Sequence, residues 1–121
     1  MDSIPEAPHP QTELRRLLVE IACTSLQLWS IHTGRSKLDL VLACGLWSQG
    51  SERSSNLTRT FNRYLSLKTL PRRPHTEDIL RIAYFVLQQT PAADAPLLEQ
   101  QLDHFLLLQE SLSLQPRTHA A

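Results

Sequence analysis

Arg59, Asn62 and Arg63 stand three and four residues apart in a stretch with helical spacing, so they share one face of a helix. Two arginines around an asparagine form a donor and acceptor set that can read base edges in a DNA groove. Arg72 and Arg73 follow on the connection Leu70-Pro71-Arg72-Arg73-Pro74, where two guanidinium groups could hold backbone phosphates. Upstream, Leu40, Val41, Gly45 and Leu46 are spaced like the first helix of a helix-turn-helix unit and its tight turn. Three features weigh against a helix-turn-helix DNA-binding regulator. The segment from Trp47 to Ser55 is much longer than the turn of about 3–4 residues usual in such units. The chain has twelve basic and twelve acidic side chains and so no net charge, and acidic helices follow the basic segment at once. Nucleic acid is therefore not the expected partner, and this regulator is the alternative reading.

Other chemistry finds less support. His9 and His119 lie in the tails, and His32, His75 and His104 have no second ligand at helical spacing, so no metal site is expected. Asp103 and His104 are adjacent, and adjacent helical residues diverge by about 100° rather than converging on a substrate. There is no Gly-rich phosphate loop, nucleophile elbow or carboxylate–histidine cluster, so neither catalysis nor a cofactor is expected. Cys23 and Cys44 sit in apolar helical context without Cys-x-x-Cys spacing and read as buried free thiols. Asn56-Leu57-Thr58 matches a glycosylation triplet that matters only after secretion. Met1 to Pro10 has neither the basic nor the apolar region of a signal peptide, and no apolar run is long enough to cross a membrane. A cytoplasmic protein with no membrane partner is expected.

Charge is unevenly placed. Residues 1–50 carry a net −1; residues 51–75 hold six basic groups against Glu52 alone, a net +5; residues 76–121 carry a net −4. Either these segments neutralise one another on folding or dimerising, or the middle is a contact surface for an acidic partner.

The elements that must position these groups are all helical. Leu is abundant, Gly scarce, and β-branched residues never alternate over a strand's length. A helix is predicted near residues 12–33, with Leu14, Leu18, Ile21 and Leu28 on one stripe, Val19, Ala22, Leu26 and Trp29 on a second, and Gly34 as its stop. Ser36 caps a second helix to about Trp47, with Leu38, Val41, Leu42 and Gly45 inward. Residues 48–55 form a polar loop, from which Ser54 or Ser55 caps a third helix to about Leu67, with Leu57, Phe61, Tyr64 and Leu65 inward. Thr76 caps a fourth helix whose core stripe is Ile79, Ile82, Ala83, Val86 and Leu87, widened by Tyr84 and Phe85 and closed by Pro91. Asp94 caps the last, with Pro96 in its first turn. The expectation is a single five-helix all-α domain over residues 12–115, two long helices flanking three shorter ones, between a disordered arm (1–11) and a frayed tail (116–121).

The last helix carries more apolar surface than one core stripe needs. Leu98, Leu102, Phe105 and Leu112 share a face, and Leu97, Leu107 and Leu108 widen it, with Leu106 and Leu114 beside them. A domain this small has one core, so the excess reads as a protein-binding surface, with Trp29 as a further core anchor or interface residue. The expected function is non-catalytic regulation by capture of another protein, together with self-association as a homodimer.

Short length, the helical plan and this leucine surface resemble the QslA-type quorum-sensing antiactivators of pseudomonads. The segments on which kinship would be tested are Cys44-Gly45-Leu46-Trp47, Thr58-Arg59-Thr60-Phe61-Asn62-Arg63-Tyr64-Leu65 and Leu70-Pro71-Arg72-Arg73-Pro74. The resemblance implies an apolar helical surface that binds the ligand-binding domain of a LuxR-type transcriptional activator and blocks its dimerisation. It assigns no functional residue.

Overall fold

Residues 10–45 and 54–114 are described by the computed structural model. In chain order the elements are α1 (Pro10–Thr33), α2 (Lys37–Cys44), α3 (Ser54–Asn62) with a 3₁₀ turn directly after it (Arg63–Leu65), α4 (Thr76–Gln89), a second 3₁₀ turn (Ala92–Asp94) and α5 (Pro96–Leu114). There is no strand among the described residues. Over the described residues the fold is all-α, with five helices, two long ones flanking three shorter ones, as the hydrophobic spacing predicts.

Helix ends follow local chemistry, in places earlier than expected. Gly34 stops α1 at a left-handed φ of 68°, its N–H reaching Ser30 O at 2.9 Å. Ser36 caps α2 reciprocally: its hydroxyl accepts from Asp39 N–H at 3.1 Å, and Asp39 Oδ2 accepts from Ser36 N–H at 3.3 Å. α2 stops at Cys44 rather than Trp47, because Gly45 takes φ 70° and closes the helix onto Leu42 O. Gly45 is therefore an exposed cap and not a core residue, and Leu42 is exposed while Leu40 and Val41 are buried. α3 ends at Asn62, before Leu67, by tightening into the 3₁₀ turn. His75 rather than Thr76 occupies the cap of α4. Asp94 lies in the second 3₁₀ turn, where its Oδ2 is 3.1 Å from Nε2 of His32, a residue that spacing alone leaves isolated.

Pro10 and Gln11, expected in the disordered arm, begin α1. The rest of that arm with His9, the tail from 116 with His119, Leu46, Trp47 and the loop over 48–53 lie outside the described residues, as do the side chains of Leu57 and Leu114.

α1 is the keystone. It packs most extensively on α4 and then on α5, and also touches α2 and the turn after α3. Leu17, Leu18, Ile21, Ala22, Leu28 and Trp29 of α1 are buried against Ile79, Ile82, Ala83 and Val86 of α4 and Leu98, Leu102 and Phe105 of α5. Burying one such large apolar side chain contributes about 1.5–3 kcal/mol. Two neighbours on two flanks explain why the stripes of α1 are so wide. Trp29 stacks obliquely on Phe85 at 5.8 Å between ring centroids, and its indole N–H donates to Ser36 O at 2.9 Å, which ties α1 to the start of α2.

Packing on two sides also corrects the interface expected on α5. This helix is covered by both α1 and α4. Leu98, Leu102 and Phe105, like Trp29, lie in the core and present no surface to a partner. Leu106 and Leu108 pack against the core edge and Leu112 is half-buried; Leu97 and Leu107 are exposed, at 57% and 66%. Part of the apparent excess thus packs at the core edge, while Leu97 and Leu107 stay exposed. The thiols are also less buried than expected. Cys23 is exposed and donates to Leu65 O at 3.4 Å, and Cys44 is half-buried. Burial pushes both thiols up, that of Cys44 to about 11 against an opposing pull from Arg81.

Candidate nucleic-acid interface

α3 and its 3₁₀ turn divide cleanly by side chain. Phe61 and Tyr64 are buried, while Arg59, Asn62 and Arg63 are exposed. The two aromatic anchors fix the roll of the helix, so the basic face must point away from the core. α3 packs chiefly on α2, and α2 in turn rests on α4 and α1. α3 is thus a short helix with an exposed basic face, backed by α2. The residues joining the two helices, 46–53, lie outside the described residues.

The Nζ of Lys37, in the first turn of α2, donates to Oδ1 of Asn62. This hydrogen bond holds the amide in one orientation. Bidentate pairing with adenine uses both the oxygen and the nitrogen of an asparagine amide, so Asn62 must release Lys37 to make it. Arg35 is engaged elsewhere: its Cζ lies 5.4 Å from the Trp29 ring centroid and its Nε 3.8 Å from Asp39 Oδ2.

The connection over residues 66–75 extends the basic surface. Lys68, Arg72 and Arg73 are exposed, whereas Leu70 is buried and anchors the segment. Its backbone is held at several points. Thr69 N–H donates to Ser66 O at 3.2 Å, and Thr69 Oγ1 donates to Arg63 O at 3.1 Å. At the far end His75 N–H donates to the Tyr64 hydroxyl at 2.9 Å. Desolvation raises the Tyr64 phenol, with the hydrogen bond from His75 opposing it. From α1, the Arg15 guanidinium donates to Pro71 O at 2.9 Å, Arg72 O at 3.2 Å and Leu70 O at 3.3 Å. The structure therefore joins Arg59, Asn62 and Arg63 to Arg72 and Arg73 through one braced stretch of chain. Sequence reasoning missed Arg15, Lys37 and Tyr64 as supports, because hydrogen bonds that span 25 to 57 residues or arise from the core leave no periodic signal.

Charge separation survives folding. Among the described residues, no carboxylate pairs with Arg59, Arg63, Lys68, Arg72 or Arg73; carboxylates pair elsewhere, as Glu13 and Glu20 do with Arg16 and Asp39 with Arg35. Hydrogen bonding to Arg16 holds the Glu13 carboxyl below its ordinary value, and Glu13 in turn raises Arg16. Glu99, Asp103 and Glu110 are exposed on α5. No group of three or more His, Cys, Asp or Glu able to hold a metal occurs among the described residues.

No protein-family model matches the chain, and no curated protein matches it. A solved structure does. The crystal structure of the DNA-binding domain from the sensor histidine kinase ChiS from Vibrio cholerae superposes with a TM-score of 0.73 at 29% sequence identity, covering 84% of this chain and 96% of that one. This chain is similar to a DNA-binding domain.

That similarity overturns two expectations. The leucine surface makes capture of another protein, such as a LuxR-type activator, the expected function, with nucleic acid not the expected partner; the ChiS likeness favours the alternative on both points. The physical errors are identifiable. Zero net charge describes the whole chain, whereas a duplex meets only the local surface, and the local surface here is basic. The ChiS likeness does not bear on the resemblance to QslA-type antiactivators. As for membranes, no helix among the described residues is long and apolar enough to cross one.

Proposed function

We propose that this chain is a DNA-binding regulatory domain without catalytic activity. α3 enters a groove of duplex DNA, with Arg59, Asn62 and Arg63 toward base edges, and α2 supports it from behind. Arg72 and Arg73 hold the phosphate backbone on the adjoining strand path. Phosphate contacts fix register and supply most of the affinity, while base contacts supply selectivity. The reading rests chiefly on one observation: an exposed basic face without carboxylate partners among the described residues, on a chain 29% identical in sequence to a DNA-binding domain over 84% of its length. The regulatory outcome follows from the same premise, because a domain that occupies a chosen duplex site alters what else can occupy it.

Fluorescence anisotropy of a labelled random-sequence duplex, titrated at several salt concentrations, tests this. The expected result is binding whose log affinity falls linearly with log salt, with a slope of about −0.9 per phosphate neutralised. Absence of association even at low salt would overturn the reading.

A further inference from the structure

Arg15 lies on α1, far in sequence from the basic segment, yet its guanidinium faces three successive carbonyl oxygens of the basic connection, those of Leu70, Pro71 and Arg72. We propose that Arg15 is a positioning residue for DNA binding: it fixes the backbone that carries Arg72 and Arg73 and does not itself touch the duplex. This rests on the DNA-binding reading above.

Pro71 and Pro74 have no N–H, so this stretch cannot close on itself by regular backbone bonding, and its carbonyl groups need donors from outside. A guanidinium offers five N–H donors in a rigid plane and no acceptor, which suits several carbonyl groups converging from one direction. Nη1 serves Pro71 and Arg72, and Nη2 serves Leu70. With both Nη atoms committed to carbonyls, Arg15 is poorly placed to serve as a phosphate ligand. It also lines a cleft with Leu14, Leu18, Arg72, Pro74 and Phe105, which places it where α1 and α5 meet the basic connection. The hydrogen bond from His75 to Tyr64 holds the far end of the same segment. A backbone ordered before binding spares the complex the entropy of ordering it afterwards.

The test compares Arg15→Gln, the double variant Arg72→Ala/Arg73→Ala and the triple variant, using anisotropy on a random-sequence duplex across salt concentrations. The double variant should lower the magnitude of the salt slope by about 1.8, two phosphates at about 0.9 each. Arg15→Gln should lower it in the same direction, and the triple variant should lose no more than the double. An Arg15 loss that adds in full to the double variant would overturn the proposal in favour of direct phosphate binding. An unchanged slope in Arg15→Gln would overturn it outright. Tryptic cleavage after Arg72 supplies a readout independent of DNA. It should accelerate at least about tenfold in Arg15→Gln at unchanged helicity, the scale of losing one charge-assisted hydrogen bond; no acceleration would contradict the bracing. Tyr64→Phe keeps the core ring and removes only the hydroxyl, so it should accelerate cleavage less than Arg15→Gln; should Arg15→Gln lose helicity, Arg15→Lys, which keeps the charge but not the planar fork, takes its place in both comparisons. Equal or greater acceleration in Tyr64→Phe would contradict Arg15 as the main brace. Wild-type protein that shows no salt-dependent affinity would remove the DNA-binding reading and the role of Arg15 with it, while the cleavage data would still report whether Arg15 holds the connection.

Discussion

α5 and α3 divide the molecule between apolar bulk and exposed chemistry. α5 carries nine large apolar residues from Leu97 to Leu114, and Leu98, Leu102 and Phe105 are buried. α3 and its following turn bury Phe61 and Tyr64 and expose Arg59, Asn62 and Arg63. Counting apolar residues makes α5 the more conspicuous surface, yet its width reflects the two helices, α1 and α4, that cover it. The quieter helix has one main neighbour, α2, and so has a face left over. An apolar excess signals an interface only after every neighbour within the domain has been accounted for.

The largest effect that would sharpen this comparison lies in the core. Leu98→Ala should cost about 2–5 kcal/mol, because a cavity adds to the lost transfer energy. Leu107→Glu, on the exposed side of the same helix, should change stability by less than about 0.5 kcal/mol. Urea denaturation of both variants measures the difference, and equal costs would show that the two faces of α5 are not distinct. On α3, Arg59→Ala with Arg63→Ala should weaken binding to a preferred duplex by about 1–3 kcal/mol for each arginine–base pairing removed, with the urea midpoint unchanged. A shifted midpoint would instead place those arginines in the fold.

Smaller effects separate the supports. Ser36→Ala removes the reciprocal cap of α2 and should lower stability by about 1 kcal/mol, read from thermal melts. The Cys44 thiol is raised in the folded state from 9.0 to about 11, so its contribution is complete below pH 9 and lost as pH rises toward 11. Cys44→Ser should therefore lose less stability across that interval than the wild type; parallel loss would mean that the thiol is not buried enough to matter.

Much of the fold was legible because it depends on local rules. The Gly34 stop, the Ser36 cap, the α4 stripe and the five-helix plan each follow from spacing or side-chain chemistry within a few residues. Helix ends were less legible, since the left-handed Gly45 and the 3₁₀ tightening at Arg63 respond to packing as well as propensity. The exposed basic residues could be named from spacing, but net charge is a poor guide to their importance. The braces Arg15 and Lys37 were illegible, because a guanidinium meeting carbonyls 55 to 57 residues away depends on how whole helices assemble.

The central claim, that the α3 face reads duplex DNA, is tested most directly by selection. Wild-type protein and Arg59→Ala/Arg63→Ala would each be used to enrich a random duplex pool at near-physiological salt, and the recovered pools sequenced. The account predicts that wild-type protein enriches a defined sequence and that the variant enriches none while remaining folded. Equal enrichment of one sequence by both proteins, or none by the wild type, would contradict it.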